Sequence, residues 1–184
     1  MIKSRMIVEN IVQIGNPLLR KKTEVVKNII SKNTNNIIKD LVDSLRHYEL
    51  VGMAAPQIGE NIKIFVTEIR KTPTRDVAMI DKLRVFINPK IVWSSKKEIV
   101  IYEGCGSVAN SNLFGPVKRP EKIIIRAIDE NGKKFKLKTD GLLARVIQHE
   151  YDHLFGIEFT QKITDIKKIM SRNEYFKMMG KCKK

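Results

Sequence analysis

Side chains that usually announce chemistry are scarce in this sequence. Among 184 residues there are two cysteines, three histidines and one tryptophan. The cysteines, Cys105 and Cys182, lie far apart, which excludes a disulfide framework as the basis of the fold. Cys105 stays free as a ligand or nucleophile, and Cys182 falls in a frayed basic terminus, "GKCKK". No apolar run approaches the ~18–20 residues needed to span a bilayer. The opening "MIKSRMIVEN" has no apolar centre for a secretory signal. Both absences lead to the expectation of a cytoplasmic protein with no membrane partner. Repeats and low-complexity linkers are missing as well, which argues against solenoids and tethered modules.

What is present reads as one globular domain over residues 1–184, with 42% hydrophobic and 30% charged residues. Positive charge is abundant. Lysine and arginine number 35 against 20 acidic residues, a formal net charge of +15. Such a balance favours polyanions. The lysines are scattered, with few aromatics among them, so loose affinity for ribosomal RNA is expected rather than base-specific readout.

The few histidines are not scattered. Two of the three fall in "VIQHEYDHLFG", residues 146–156. On a helix, His149 and His153 share a face. Glu150 lies about 100° round, close enough to act as a base. Leu142, Leu143, Val146, Ile147 and Leu154 surround them, so the imidazoles face an interior, where they need a partner such as a metal ion. A catalytic metal site wants a third protein ligand and an open position. Cys105, in "YEGCGSV", is one candidate, a soft ligand suited to iron or zinc. Glu174 is the other, at the distance along the chain where one class of metallopeptidases supplies a glutamate. Its segment, "SRNEYFKM", reads as a solvated face.

Periodicity predicts a helix over residues 36–50, entered from capping residues in "SKNTN". "VGMAAPQIGEN" reads as a turn or irregular extended segment, and "IKIFVTEI" as a strand. A polar surface loop, residues 70–83, follows. Residues 84–107 supply two or three short strands. Residues 122–140 form a hairpin around Glu130-Asn131-Gly132. "GLLARVIQHEYDHLFG" is the histidine-bearing helix, capped at Thr139 or Asp140 and closed by Gly156. An amphipathic helix at about 164–180 ends the chain. Strands grouped ahead of the helix give an α+β class: small mixed or antiparallel sheets around a central HExxH helix, with helices near both ends.

Three blocks, in order, then resemble one family. "GMAAPQ" (Gly52 to Gln57), "EGCGS" (Glu103 to Ser107) and "QHEYDHL" (Gln148 to Leu154) are similar to the motifs of the peptide deformylases, with support from "IGNPLLRK", "FINPKI" and "GLLARVIQHE". The resemblance covers about residues 8–165. It implies a hydrolase that removes the N-formyl group from N-formylmethionyl nascent peptides. It implies a divalent metal held by Cys105, His149 and His153, with a water in the fourth position. Iron(II) is the family's usual ion, with nickel, cobalt or zinc as replacements. Glu150 would take the water proton and return it to the leaving amine. Gln57 and the N–H of Gly106 would hold the oxyanion. Val51, Gly52, Ile101, Leu142 and Val146 would line the methionine pocket. The peptide backbone would pair along "LVGMA", Asp152 would position a ligand, and the protein would act as a monomer. Three departures stand out. Leu50 replaces a usual glycine, Gly106 replaces a usual leucine, and residues 107–120 lack an early arginine before Arg119. Altered substrate choice or a deformylase-like protein without activity are the competing expectations, with a Glu174-dependent HExxH metallopeptidase behind them.

Overall fold

A computed structural model describes residues 10–72 and 79–180. Cys182 and part of the expected 70–83 loop fall outside the described residues. The first sheet has five antiparallel strands in the order β1-β2-β3-β6-β7. These are β1 (Gly52–Ala54), β2 (Ile64–Ile69), β3 (Asp81–Ser94), β6 (Lys122–Ile128) and β7 (Lys134–Asp140). A second sheet of three strands joins β4 (Glu98–Gly104), β5 (Leu113–Pro120) and β8 (Met170–Ser171). The helices are α1 (Lys32–His47), α2 (Gly141–His153) and α3 (Arg172–Met178). The class is α+β, as the grouping of strands predicts.

The two long helices cover opposite faces of the first sheet. Alternation along the strands separates the faces. Ile64, Val66, Val85 and Ile87 pack with Ile37, Leu41 and Leu45 of α1. Phe65, Phe86, Ile123 and Ile125 pack with Ala144 and Ile147 of α2. Strand β2, the strand expected at "IKIFVTEI", therefore buries nearly every residue, Thr67 included.

Helix α1 starts earlier and stops earlier than residues 36–50. The Ser31 hydroxyl accepts the Thr34 N–H at 3.2 Å and sets the start. At the other end Tyr48 caps the helix and Glu49 turns left-handed at φ 53°. The hairpin of β6 and β7 is present, with Gly132 at φ 80° in the turn. Residues 84–107 hold two strands, β3 and β4, as expected, but β3 is fourteen residues long and begins at Asp81, inside the stretch expected as a loop; shifts in its register with β6 let it bend.

The C-terminal helix is a correction. It occupies Arg172–Met178 rather than 164–180. Met170 and Ser171 pair instead with Phe114 and Leu113 at the edge of β5. Tyr175 then stacks on Phe114 at 4.3 Å between ring centres.

Candidate active site

A cleft of about 320 Å³ runs between β1, at the edge of the first sheet, and β4, at the edge of the second. Helix α2 forms its floor. Val51, Gly52, Ile101, Leu142 and Val146, the five residues expected for the methionine pocket, all line it. Ile101 and Leu142 are 39% and 44% exposed, a large opening for apolar side chains.

Helix α2 carries most of the polar groups. Gly141 enters it at φ 58°, and Asp140 sits at the N-cap without a side-chain cap bond, so that predicted cap does not form. Leu154 ends the helix. Gly156, at φ 71°, presses against the backbone of Arg20, where a Cβ would collide. The helix thus stops beside residues 17–21, and its last turn holds His149, Glu150 and His153 against Cys105.

The donor atoms of Cys105, His149 and His153 lie within 4.8 Å of one another. Cys105 Sγ stands 3.3 Å from His153 Nε2. Donors bound at about 2.0–2.3 Å to one tetrahedral ion are separated by about this much. Sγ also receives the Ser107 N–H at 3.4 Å and the Gln57 amide at 3.5 Å, two donors aimed at the sulfur. The residues therefore fit a metal ion. Glu174 is not among them. It lies on α3, 59% exposed, bound to Lys177 at 2.6 Å.

Behind the histidines lies a buried ionic network that spacing alone does not reveal. Glu103 Oε2 stands 2.9 Å from His149 Nδ1, which leaves the other ring nitrogen facing the cluster. Arg119 grips Glu103 with two bonds, at 2.6 and 2.9 Å, and reaches Asp152 at 2.6 Å. Arg145 adds a bond to Glu103 at 3.0 Å, and Lys162 holds Asp152 at 2.8 Å. Burial alone would raise the Glu103 carboxyl, but bonds from Arg119 and His149 hold it well below the usual carboxylate range. Arg119 is 2% exposed and spoken for, so it is no substitute for the missing substrate arginine. Asp152 acts at one remove, by orienting Arg119.

The two histidines are perturbed in opposite directions. Burial would lower His149, but bonds to Cys105 and Glu103 outweigh it and push it well above its ordinary value. His153 is pushed well below by burial, reinforced by the charge at His149. Glu150 is pushed up to about 7, mainly by burial. Its Oε2 is buried with no hydrogen-bond partner. Gln57 is oriented by Ala54, whose N–H reaches Oε1 at 2.8 Å, so the amide NH₂ points toward Cys105 and Ser107.

Comparison with known proteins decides the family. The family model for polypeptide deformylase matches residues 8–169. The chain belongs to the polypeptide deformylase family. A peptide deformylase of Dictyoglomus turgidum is 41% identical over 83% of this chain and 90% of its own length. The actinonin complex of a Synechococcus elongatus peptide deformylase is 30% identical, with a TM-score of 0.76 over 94% of this chain and 86% of that one. A Met-Ala-Ser-bound enzyme of Acinetobacter baumannii is 26% identical, with a TM-score of 0.78 over 83% and 96%. This chain is thus a metal-dependent peptide deformylase, which hydrolyses the formyl group from N-formylmethionine of nascent polypeptides. No described helix is long and apolar enough to cross a membrane.

Two groups of site residues escape the sequence reading. Arg145 carries no motif signal beyond its place in α2. Phe114, Arg172, Tyr175 and Phe176 also line the cleft, although the segment of α3 reads as a solvated face.

Proposed function

We propose that Cys105, His149 and His153 hold one iron(II) ion, replaceable by zinc, nickel or cobalt. A soft sulfur with two imidazoles suits these ions over magnesium or calcium. Once bound, the ion supplies Lewis-acid activation of a water and of the formyl carbonyl. The remaining steps belong to the chain. Glu150 takes the proton of the attacking water and delivers it to the departing amine. Its raised affinity for protons and its unpartnered Oε2 suit that shuttle, and this buried, unsatisfied carboxylate beside the cluster is the observation that carries the reading. The Gln57 amide and the Gly106 N–H receive the developing oxyanion.

The methionine side chain fills the pocket of Val51, Gly52, Ile101, Leu142 and Val146. The peptide backbone adds to the open edge of β1, which among the described residues pairs with β2 alone. A Cβ on Gly52 would meet Glu150 Cγ and Val146 Cγ1 at 2.7 Å, so only glycine admits both substrate and base there. Residues 1–184 act as one catalytic unit, a cytoplasmic monomer. For the ribosome, the supporting feature is a bare basic row. Lys90 and Arg126 are paired across β3 and β6, and Arg126 and Lys136 across β6 and β7. All three are exposed, and none forms an ion pair among the described residues. This row is suited to ribosomal RNA phosphates.

The test is formate release from formyl-Met-Ala-Ser by anaerobic protein loaded with Fe²⁺ or Ni²⁺. Release that vanishes in Glu150→Gln supports the assignment. No release from protein holding one metal per chain overturns it and points to another formylated substrate.

A further inference from the structure

Leu50 and Gly106 depart from the motifs singly in sequence, yet they meet in space. Helix α1 ends in a turn that fixes Leu50. The Leu50 N–H donates to the Leu45 carbonyl at 2.9 Å, and the Glu49 N–H to Arg46 at 3.2 Å. This pair of bonds is the Schellman arrangement, in which the residue after the left-handed position is commonly apolar. Gly106 is buried although it has no side chain. A Cβ built on it would lie 3.0 Å from Leu50 Cδ1, 3.1 Å from Ile11 Cδ1 and 3.9 Å from Gln57 Nε2. The leucine methyl thus lies against the place where a side chain on residue 106 would begin, and even a Cβ there would push it back by a few tenths of an ångström.

We propose that Leu50 and Gly106 are an exchanged pair. Leu50 supplies, from the end of α1, the apolar cover over the Cys105–Gly106 turn and the Gln57 amide, and Gly106 stays bare to admit it. At interior packing density two leucines do not fit the same place. Leu50 is a positioning residue. It shields the Gln57 amide, itself 1% exposed, and donors kept from water stabilise developing charge more strongly. It also lines the cleft, so it forms part of the wall that meets the formyl end of the substrate.

This rests on the deformylase reading, so the test carries a second readout. A cycle of wild type, L50G, G106L and L50G/G106L is measured for metal content, thermal midpoint, and kcat and KM on formyl-Met-Ala-Ser with nickel bound. Each single change is expected to lower the midpoint and cut kcat by ~10-fold or more. The double variant is expected to regain both, with kcat within ~3-fold of wild type and metal content unchanged throughout. Losses that simply add in the double variant overturn the proposal. Coupling in the midpoint without coupling in kcat reduces the pair to packing and overturns the positioning role. An inactive wild type would sink the catalytic assignment instead, and additive midpoints would then sink the pair as well. Should G106L not fold, L50A, G106A and L50A/G106A give the same cycle with smaller steps.

Discussion

Helices α1 and α2 press on opposite faces of one sheet, and they are built to opposite rules. Helix α1 buries Ile37, Ile38, Leu41, Val42 and Leu45 and no charge, with the small hydroxyl residues Thr34 and Ser44 beside them. Helix α2 buries Arg145, Gln148, Glu150, Asp152 and His153 beside Ala144 and Ile147. A buried charge costs free energy unless it is paired. In α2 nearly every charge is paired, and Glu150 is left without a partner. The contrast separates a face selected for packing from one selected for chemistry.

Glu150→Gln probes the unpaired charge. It keeps shape and burial but removes the proton carrier. We expect kcat to fall by about 10²–10⁴-fold, or about 3–5 kcal/mol of barrier. Metal content and thermal midpoint should stay near wild type, since the lost carboxylate has no bond to break. A variant with ordinary turnover would move the shuttle elsewhere.

Glu103→Gln probes the paired charges. It leaves Arg119 and Arg145 buried beside a neutral group, and a broken buried pair typically costs about 3–5 kcal/mol. It also weakens the acceptor for His149 Nδ1, so metal affinity should drop by about 10–100-fold. Denaturant unfolding and a competitive chelator titration would check each half. Loss of activity with stability and metal affinity intact would contradict the network's role.

The network also marks where reading the sequence stops. The HExxH helix, the β6–β7 hairpin and the clustering of Cys105 with His149 and His153 were legible, because helical spacing, turn chemistry and three ordered motifs are local or nearly so. Glu103 to Arg119 and Arg119 to Asp152 are contacts between distant stretches, and no periodicity links them. The same reason hid α3. Its amphipathic pattern covers 164–180, but Ile166–Lys168 form a separate 3-10 turn and Met170 and Ser171 pair with β5, so the α-helix begins only at Arg172. Leu50 and Gly106 looked like two defects because the sequence does not show that they touch.

On the packing face, Leu41→Ala should separate stability from chemistry. Leu41 is fully buried against β2 and β3, so truncation should cost about 2–5 kcal/mol. The folded fraction should keep wild-type kcat and KM, because α1 reaches the cleft only through its last turn and Leu50. A fall in kcat at full folding would show that the faces are coupled across the sheet, against the division drawn here.

Glu174→Gln sets the lower bound. Its ion pair with Lys177 has the same 2.6 Å separation as Arg119 with Glu103, but its side chain is 59% exposed against 5%. Water and salt screen the exposed pair, so its loss should change stability by no more than about 0.5 kcal/mol. Metal content and turnover should not move. A glutamate that completed the metal site would behave oppositely, with the ion lost from Glu174→Gln and kept in Cys105→Ser. Measuring metal content in those two variants side by side therefore tests whether burial, rather than distance along the chain from the HExxH pair, identifies the third ligand.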